Sequence, residues 1–194
     1  MHKIIFSHLF VAFIMMGIWT YQPNVDGLMS GLIMSLITLE MGFLAFHSKN
    51  TIFKVVAIII WCIFYPSNFK ILLGVADVSF GGDAIWTNEA MKPFMVYLAC
   101  LAFALVAATL SAQLILKSFK LNLYVQLILM PIIAIAASFF LHLERVGSLG
   151  WGDFLLSPLN FISQVLTNLA SANIPFIIGL SAIQSMLLIL LGDD

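Results

Sequence analysis

The sequence predicts an all-α bundle of about six transmembrane spans, with a further amphipathic helix that lies at the interface or re-enters the membrane. Three observations carry this expectation. The chain is 62% hydrophobic and 9% charged over 194 residues, against about half apolar and a quarter charged in soluble domains. Its apolar residues gather in stretches approaching the roughly 20 residues that cross a bilayer. Short segments rich in Pro, Gly, Asn and charge separate those stretches. Little chain is left for a soluble domain, and residues 1–194 read as a single integral membrane domain.

The elements follow in order. Met1, His2 and Lys3 before an apolar run have the form of a signal peptide, but the run ends in Trp19, Thr20 and Tyr21 with no small-residue cleavage site. It reads as a retained first helix, Ile4 to Tyr21, stopped by Gln22, Pro23 and Asn24. Helix 2 is expected over Gly27 to His47 and helix 3 over Thr51 to Tyr65. Helix 3 is short for a span. Either Pro66 marks the membrane surface, or the helix resumes through Phe69 to Val75 as a broken helix, which at membrane depth needs protein or water around it. After a semi-polar stretch to Lys92, helix 4 is expected over Pro93 to Leu116. Helix 5 is expected over Leu121 to Leu141, kinked at Pro131, and helix 6 over Ile174 to Leu191. Between the last two lies a second semi-polar stretch, His142 to Ala172. Within it, Leu155, Leu159, Ile162, Leu166 and Leu169 recur at helical spacing, opposite Asn160, Ser163, Gln164, Thr167 and Asn168. Ser157 and Pro158 form a good helix start. This uncharged polar face either lies at the interface or lines a pocket.

The basic residues set an orientation. With the N-terminus in the cytoplasm, Lys3, Lys49, Lys54, Lys117 and Lys120 fall in short cytoplasmic segments, leaving three of the eight Lys and Arg residues outside. Both termini are then cytoplasmic. The two semi-polar stretches, with Asp77, Asp83, Glu89, Glu144 and Asp153, come together on the extracytoplasmic side. Trp19, Trp86 and Trp151 fall at expected interfaces, where aromatic belts form.

The densest chemistry lies between His142 and Asp153: an imidazole, two carboxylates, the Arg145 guanidinium, three glycines and Trp151. Arginine offers a fork for phosphate or carboxylate, and glycines let backbone N–H groups approach an anion. The competing reading is a polar re-entry loop in which Arg145 pairs with Glu144 or Asp153. Asp83 is expected to cap the next helix. Glu40 stands alone inside helix 2, where a charge costs roughly 2.5–3.5 kcal/mol on insertion scales and is functional by default; protonation or snorkelling toward Lys49 would relieve it. His8 and His47 read as interfacial. Cys62 and Cys100, far apart in apolar stretches, read as small core residues. No spacing supports a metal site, no motif calls for a cofactor, and a net charge of −1 gives no reason to expect nucleic acid.

The stretch from Trp61 to Asp77, an aromatic run followed by Pro66, Ser67, Asn68 and an apolar segment ending in an acid, resembles the bacterial membrane family called domain of unknown function 1361. That family shows Phe-Pro-Asn, a short apolar stretch and Asp, and later Gly-Arg-Phe, a basic residue, Asn-Ser-Trp-Asp and Pro. Here Glu144-Arg145-Val146, Gly150 through Asp153 and Pro158 stand in those places, over roughly residues 40 to 170. Ser67 interrupts the Pro-Asn pair, Glu144 replaces a Gly, and the basic residue and Asn before the Trp are missing. The resemblance implies a multi-pass protein of a bacterial cytoplasmic membrane, assigns no activity, and singles out Asn68, Asp77, Arg145, Trp151 and Asp153.

Three functions are open at this point. The first is binding or transport of a small or anionic, possibly lipid-linked, ligand on the outer face, with Asn68, Asp77, Trp86, His142, Glu144, Arg145, Trp151 and Asp153 as candidate ligand-binding residues. The second is an enzyme acting on a lipid-linked substrate at the outer leaflet, with Asp153 or Glu144 as general base and His142 as proton partner. The third is a non-catalytic subunit of a larger membrane complex, docking through the small-residue track Ala99, Ala102, Phe103, Ala107 and Ser111. The partners expected are the lipid bilayer, a ligand of the first or second kind, or a membrane protein.

Overall fold

A computed structural model describes residues 2–75, 87–147, 157, 163, 165, 167 and 173–191. These residues form seven helices: α1 (His2–Tyr21), α2 (Leu28–His47), α3 (Thr51–Phe64), α4 (Ser67–Gly74), α5 (Asn88–Ser118), α6 (Leu123–Gly147) and α7 (Ile174–Leu190). No strand occurs among the described residues.

Local chemistry explains where the helices start. Gly27 precedes α2 with φ of 73°, a conformation that side chains disfavour. The Asn50 side chain accepts from the Ile52 N–H at the start of α3, Thr87 from Ala90 at α5, and Asn173 from Phe176 at α7. Thr87 therefore caps α5, and Asp83 lies outside the described residues. That helix begins five residues earlier than the sequence suggests, because Pro93 is accommodated inside it rather than opening it. Pro131 likewise sits inside α6 without ending it. Helix α6 also runs on to Gly147, so His142, Glu144 and Arg145 lie on its last turns and not in a loop.

Helix 3 follows the broken-helix alternative. Tyr65 and Pro66 keep right-handed helical dihedrals (φ/ψ of −55/−45° and −60/−31°). Pro66 has no N–H to give to the carbonyl four residues back, so the regular ladder is interrupted. The chain recovers through tighter bonds, Asn68 N–H to Tyr65 O at 3.3 Å and Phe69 N–H to Pro66 O at 3.0 Å. Residues 65 to 69 are all buried, and Pro66 does not end the helical stretch. Thr51–Gly74 acts as one apolar stretch of 24 residues, about 36 Å of helix.

Five helical stretches are thus long and apolar enough to cross a membrane. Helix α7 adds a shorter apolar helix of 17 residues, about 25 Å. With α3 and α4 counted together, about six spans result. The exterior fits lipid: Phe13 and Trp19 are 72% and 80% exposed, while α1 buries a narrow stripe of Ser7, Val11 and Ile14.

Contacts divide the chain into two compact units, Met1–Phe119 and Lys120–Asp194. In the first, α2 packs against α5, α3, α4 and α1, and α5 packs against α1 and α4. Ala104, Ala107, Ala108, Ser111 and Ala112 of α5 are completely buried. A β-carbon on Gly42 of α2 would lie 2.8 Å from the Ser111 Cα, so the two backbones nearly touch there. Of the proposed docking track, Ala107 and Ser111 are therefore spent on core packing inside the unit, and Ala99 and Ala102 are exposed. The Lys54 ammonium bonds the Ser118 carbonyl and lies 5.1 Å from the Phe119 ring, which brings a basic side chain to the C-terminal end of α5.

In the second unit α6 packs on α7. Ser163, Val165 and Thr167 are helical; Val165 packs on Leu143, and Ser163 and Thr167 are exposed. The rest of the amphipathic segment lies outside the described residues.

Candidate functional site

The first unit carries a layer of buried polar side chains where α3 breaks into α4. Ser35, Thr38 and Ser111 are completely buried. Each donates to its own helix, to Gly31 O (2.9 Å), Met34 O (2.7 Å) and Ala108 O (3.0 Å), which is how hydroxyls are tolerated in apolar helices. Longer side chains then tie the helices together. The Trp61 indole N–H donates to Ser111 Oγ at 3.0 Å, linking α3 to α5. The Asn68 amide donates to the Tyr65 carbonyl at 2.8 Å and to Thr38 Oγ1 at 3.4 Å, linking α4 to α2. The Tyr97 hydroxyl donates to the Ile71 carbonyl, linking α5 to α4. Tyr65 lies between Trp61 and Phe69, with ring centroids 4.5 and 5.7 Å away.

Two atoms of this layer have no hydrogen-bond partner: Tyr65 Oη and Asn68 Oδ1. Tyr65 is 2% exposed and Asn68 0%. A buried polar group left unsatisfied costs about 1–3 kcal/mol, so each such group needs a reason.

A second polar feature joins α1 to α2. His8 Nε2 lies 2.7 Å from Glu40 Oε1. His8 Nδ1 is 2.9 Å from the Ile4 carbonyl, which can only accept, so Nδ1 carries a hydrogen. The contact with Glu40 then holds a single proton, on the imidazole or on the carboxyl. Either way the pair has no net charge. Glu40 is thus neither alone nor turned to Lys49, and His8 is its partner rather than a bare interfacial group. The pair sits six residues into α1 and seven from the end of α2. Glu40 also lines a groove of about 420 Å³ with Ile4, Phe43, Leu44 and His47. His47 gives its Nδ1 hydrogen to the Phe43 carbonyl at 3.0 Å.

The second unit holds His142, Glu144 and Arg145. His142 is 4% exposed. Its Nε2 accepts from the Asn173 N–H at 3.3 Å, and its ring lies 6.0 Å from Phe176, so the imidazole anchors the start of α7. One turn away on α6, Ser138 accepts from the Gln184 amide at 3.0 Å. Glu144 is half-buried and Arg145 exposed at the end of α6. Asp77, Trp86, Trp151 and Asp153 lie outside the described residues. Of the expected ligand-binding set, the structure places Asn68 in one polar layer and His142 at another helix junction. Among the described residues, no group of His, Cys, Asp and Glu could hold a metal ion.

Sequence reasoning missed Thr38, Trp61, Tyr65 and Ser111 as members of a layer, and His8 as the partner of Glu40. The family profile described as protein of unknown function DUF1361 matches residues 31–187. This chain belongs to the DUF1361 family. No curated protein and no solved structure matches it. The DUF1361 match includes most of α2, all of α3 through α6 and most of α7, with Glu40, Tyr65 and Asn68, and leaves out α1 with His8.

Proposed function

We propose that this DUF1361 protein binds a small polar ligand inside the membrane at the α3–α4 break, as a binding or transport protein. The observation that carries the reading is the pair of buried, unpartnered atoms Asn68 Oδ1 and Tyr65 Oη. Interrupted spans at polar sites are a recurrent device of transporters, because the break frees backbone and side-chain groups for a ligand. The atoms also state a preference. Asn68 Oδ1 only accepts, so the ligand must bring an N–H or O–H; the Tyr65 hydroxyl can give or take. A small neutral or zwitterionic molecule suits this layer better than a bare anion. An anionic group belongs, in the same proposal, to the outer face, where Arg145 at the end of α6 would receive it. The orientation is the one the lysines suggest, with both termini in the cytoplasm of a bacterial cell.

Thermal unfolding of the purified protein with a panel of small polar solutes tests this. At least one donor-bearing solute should raise the unfolding temperature, with a stabilisation near 2.7 kcal/mol at a hundredfold excess over Kd. Asn68→Ala should still unfold cooperatively and lose that shift. No shift across the panel, or a shift that survives Asn68→Ala, contradicts the reading.

A further inference from the structure

A separate groove of about 350 Å³ runs between α1 and α5. Its walls are carbon: Phe13 and Gly17 from α1, Val96 and Ala99 from α5. Gly17 sets its floor, since a β-carbon there would come within 3.1 Å of the Val96 side chain. One end differs. Tyr21 and Lys92 line it, eight residues along α1 from Phe13 and seven along α5 from Ala99. The groove is therefore about 12 Å long and polar at one mouth. Lys92 is exposed and has no ion-pair partner among the described residues. Among the described residues, no acid lines the groove.

We propose that this groove holds one acyl chain of an anionic phospholipid, with the head-group phosphate on Lys92. A chain leaving bulk lipid gains no hydrophobic free energy by entering, so selectivity must come from fit and from charge. The Lys92 ammonium supplies the charge, and the Tyr21 phenol gives the mouth a second hydrogen-bonding group. The site shares no residue with the α3–α4 layer and stands or falls apart from it.

The test is native mass spectrometry of the protein extracted from vesicles of equal phosphatidylglycerol and phosphatidylcholine. Wild type should retain the anionic lipid about fivefold over the zwitterionic one, the scale of one lysine at an anionic surface. Lys92→Gln should erase the preference and Lys92→Arg keep it. Ala99→Phe, at an exposed position that fills the groove, should lower retention of both lipids. Equal retention by wild type, a preference that survives Lys92→Gln, or undiminished retention in Ala99→Phe overturns the proposal.

Discussion

Gly42→Ala is expected to destabilise the protein by about 1–3 kcal/mol, as overpacking of a close-packed interior does. The added carbon would lie 2.8 Å from Ser111 Cα, 2.9 Å from Ser111 Cβ and 3.1 Å from the Ser111 carbonyl oxygen. Two of these are backbone atoms of α5 and cannot rotate away, so α2 and α5 must separate. Separation also disturbs Ser111 Oγ, the acceptor for the Trp61 indole. Alanine's better helix propensity, worth about 0.5–1 kcal/mol, offsets only part of this. Gly179→Ala is the matched control. Nothing lies within 4 Å of its added carbon, so the same substitution there should leave stability unchanged or raise it slightly. Unfolding of both variants in detergent checks the contrast, and equal effects at the two glycines would mean that α2 and α5 do not meet as described.

Removing His8 should cost more than removing Glu40. In His8→Leu, Glu40 keeps a carboxyl group in an apolar span without its partner, at a cost of up to about 2.5–3.5 kcal/mol by the insertion scales. In Glu40→Leu, His8 keeps its bond to the Ile4 carbonyl, so the loss should be about 1 kcal/mol, that of one ordinary hydrogen bond. The double substitution to leucine should recover most of the stability, because replacing both members of such a pair by apolar groups is often near neutral. A double-mutant cycle from unfolding curves reads all three values. Additive losses, or equal losses for the two single variants, would show that the pair does not form.

Much of the architecture was legible because lipid imposes simple rules. Apolar length located the spans, and Pro66 announced an irregularity that the fold resolves as a buried break. The site was less legible, for a physical reason. Helical spacing reports which side chains share a face of one helix, not which face another helix. Glu40 could be recognised as costly, yet its partner lies on α1, in an unrelated stretch of sequence. Thr38 and Ser111 are unremarkable in apolar helices until Asn68 and Trp61 reach them. The reach of α6 to Gly147 was hidden because charged residues at a helix end look like a loop. His142 read as a candidate ligand-binding residue of that loop, and the structure shows its Nε2 accepting from the Asn173 N–H at the start of α7.

The central claim is that a small polar ligand sits beside Asn68 and Tyr65. Trp61, whose ring lies 4.5 Å from that of Tyr65, can report on it directly. The most direct measurement is emission from a variant whose other three tryptophans, Trp19, Trp86 and Trp151, are replaced by phenylalanine, titrated with donor-bearing polar solutes. The account predicts a saturable change in Trp61 emission for at least one solute, abolished by Asn68→Ala. A folded protein whose Trp61 responds to none of them, or responds equally with and without Asn68, would contradict it.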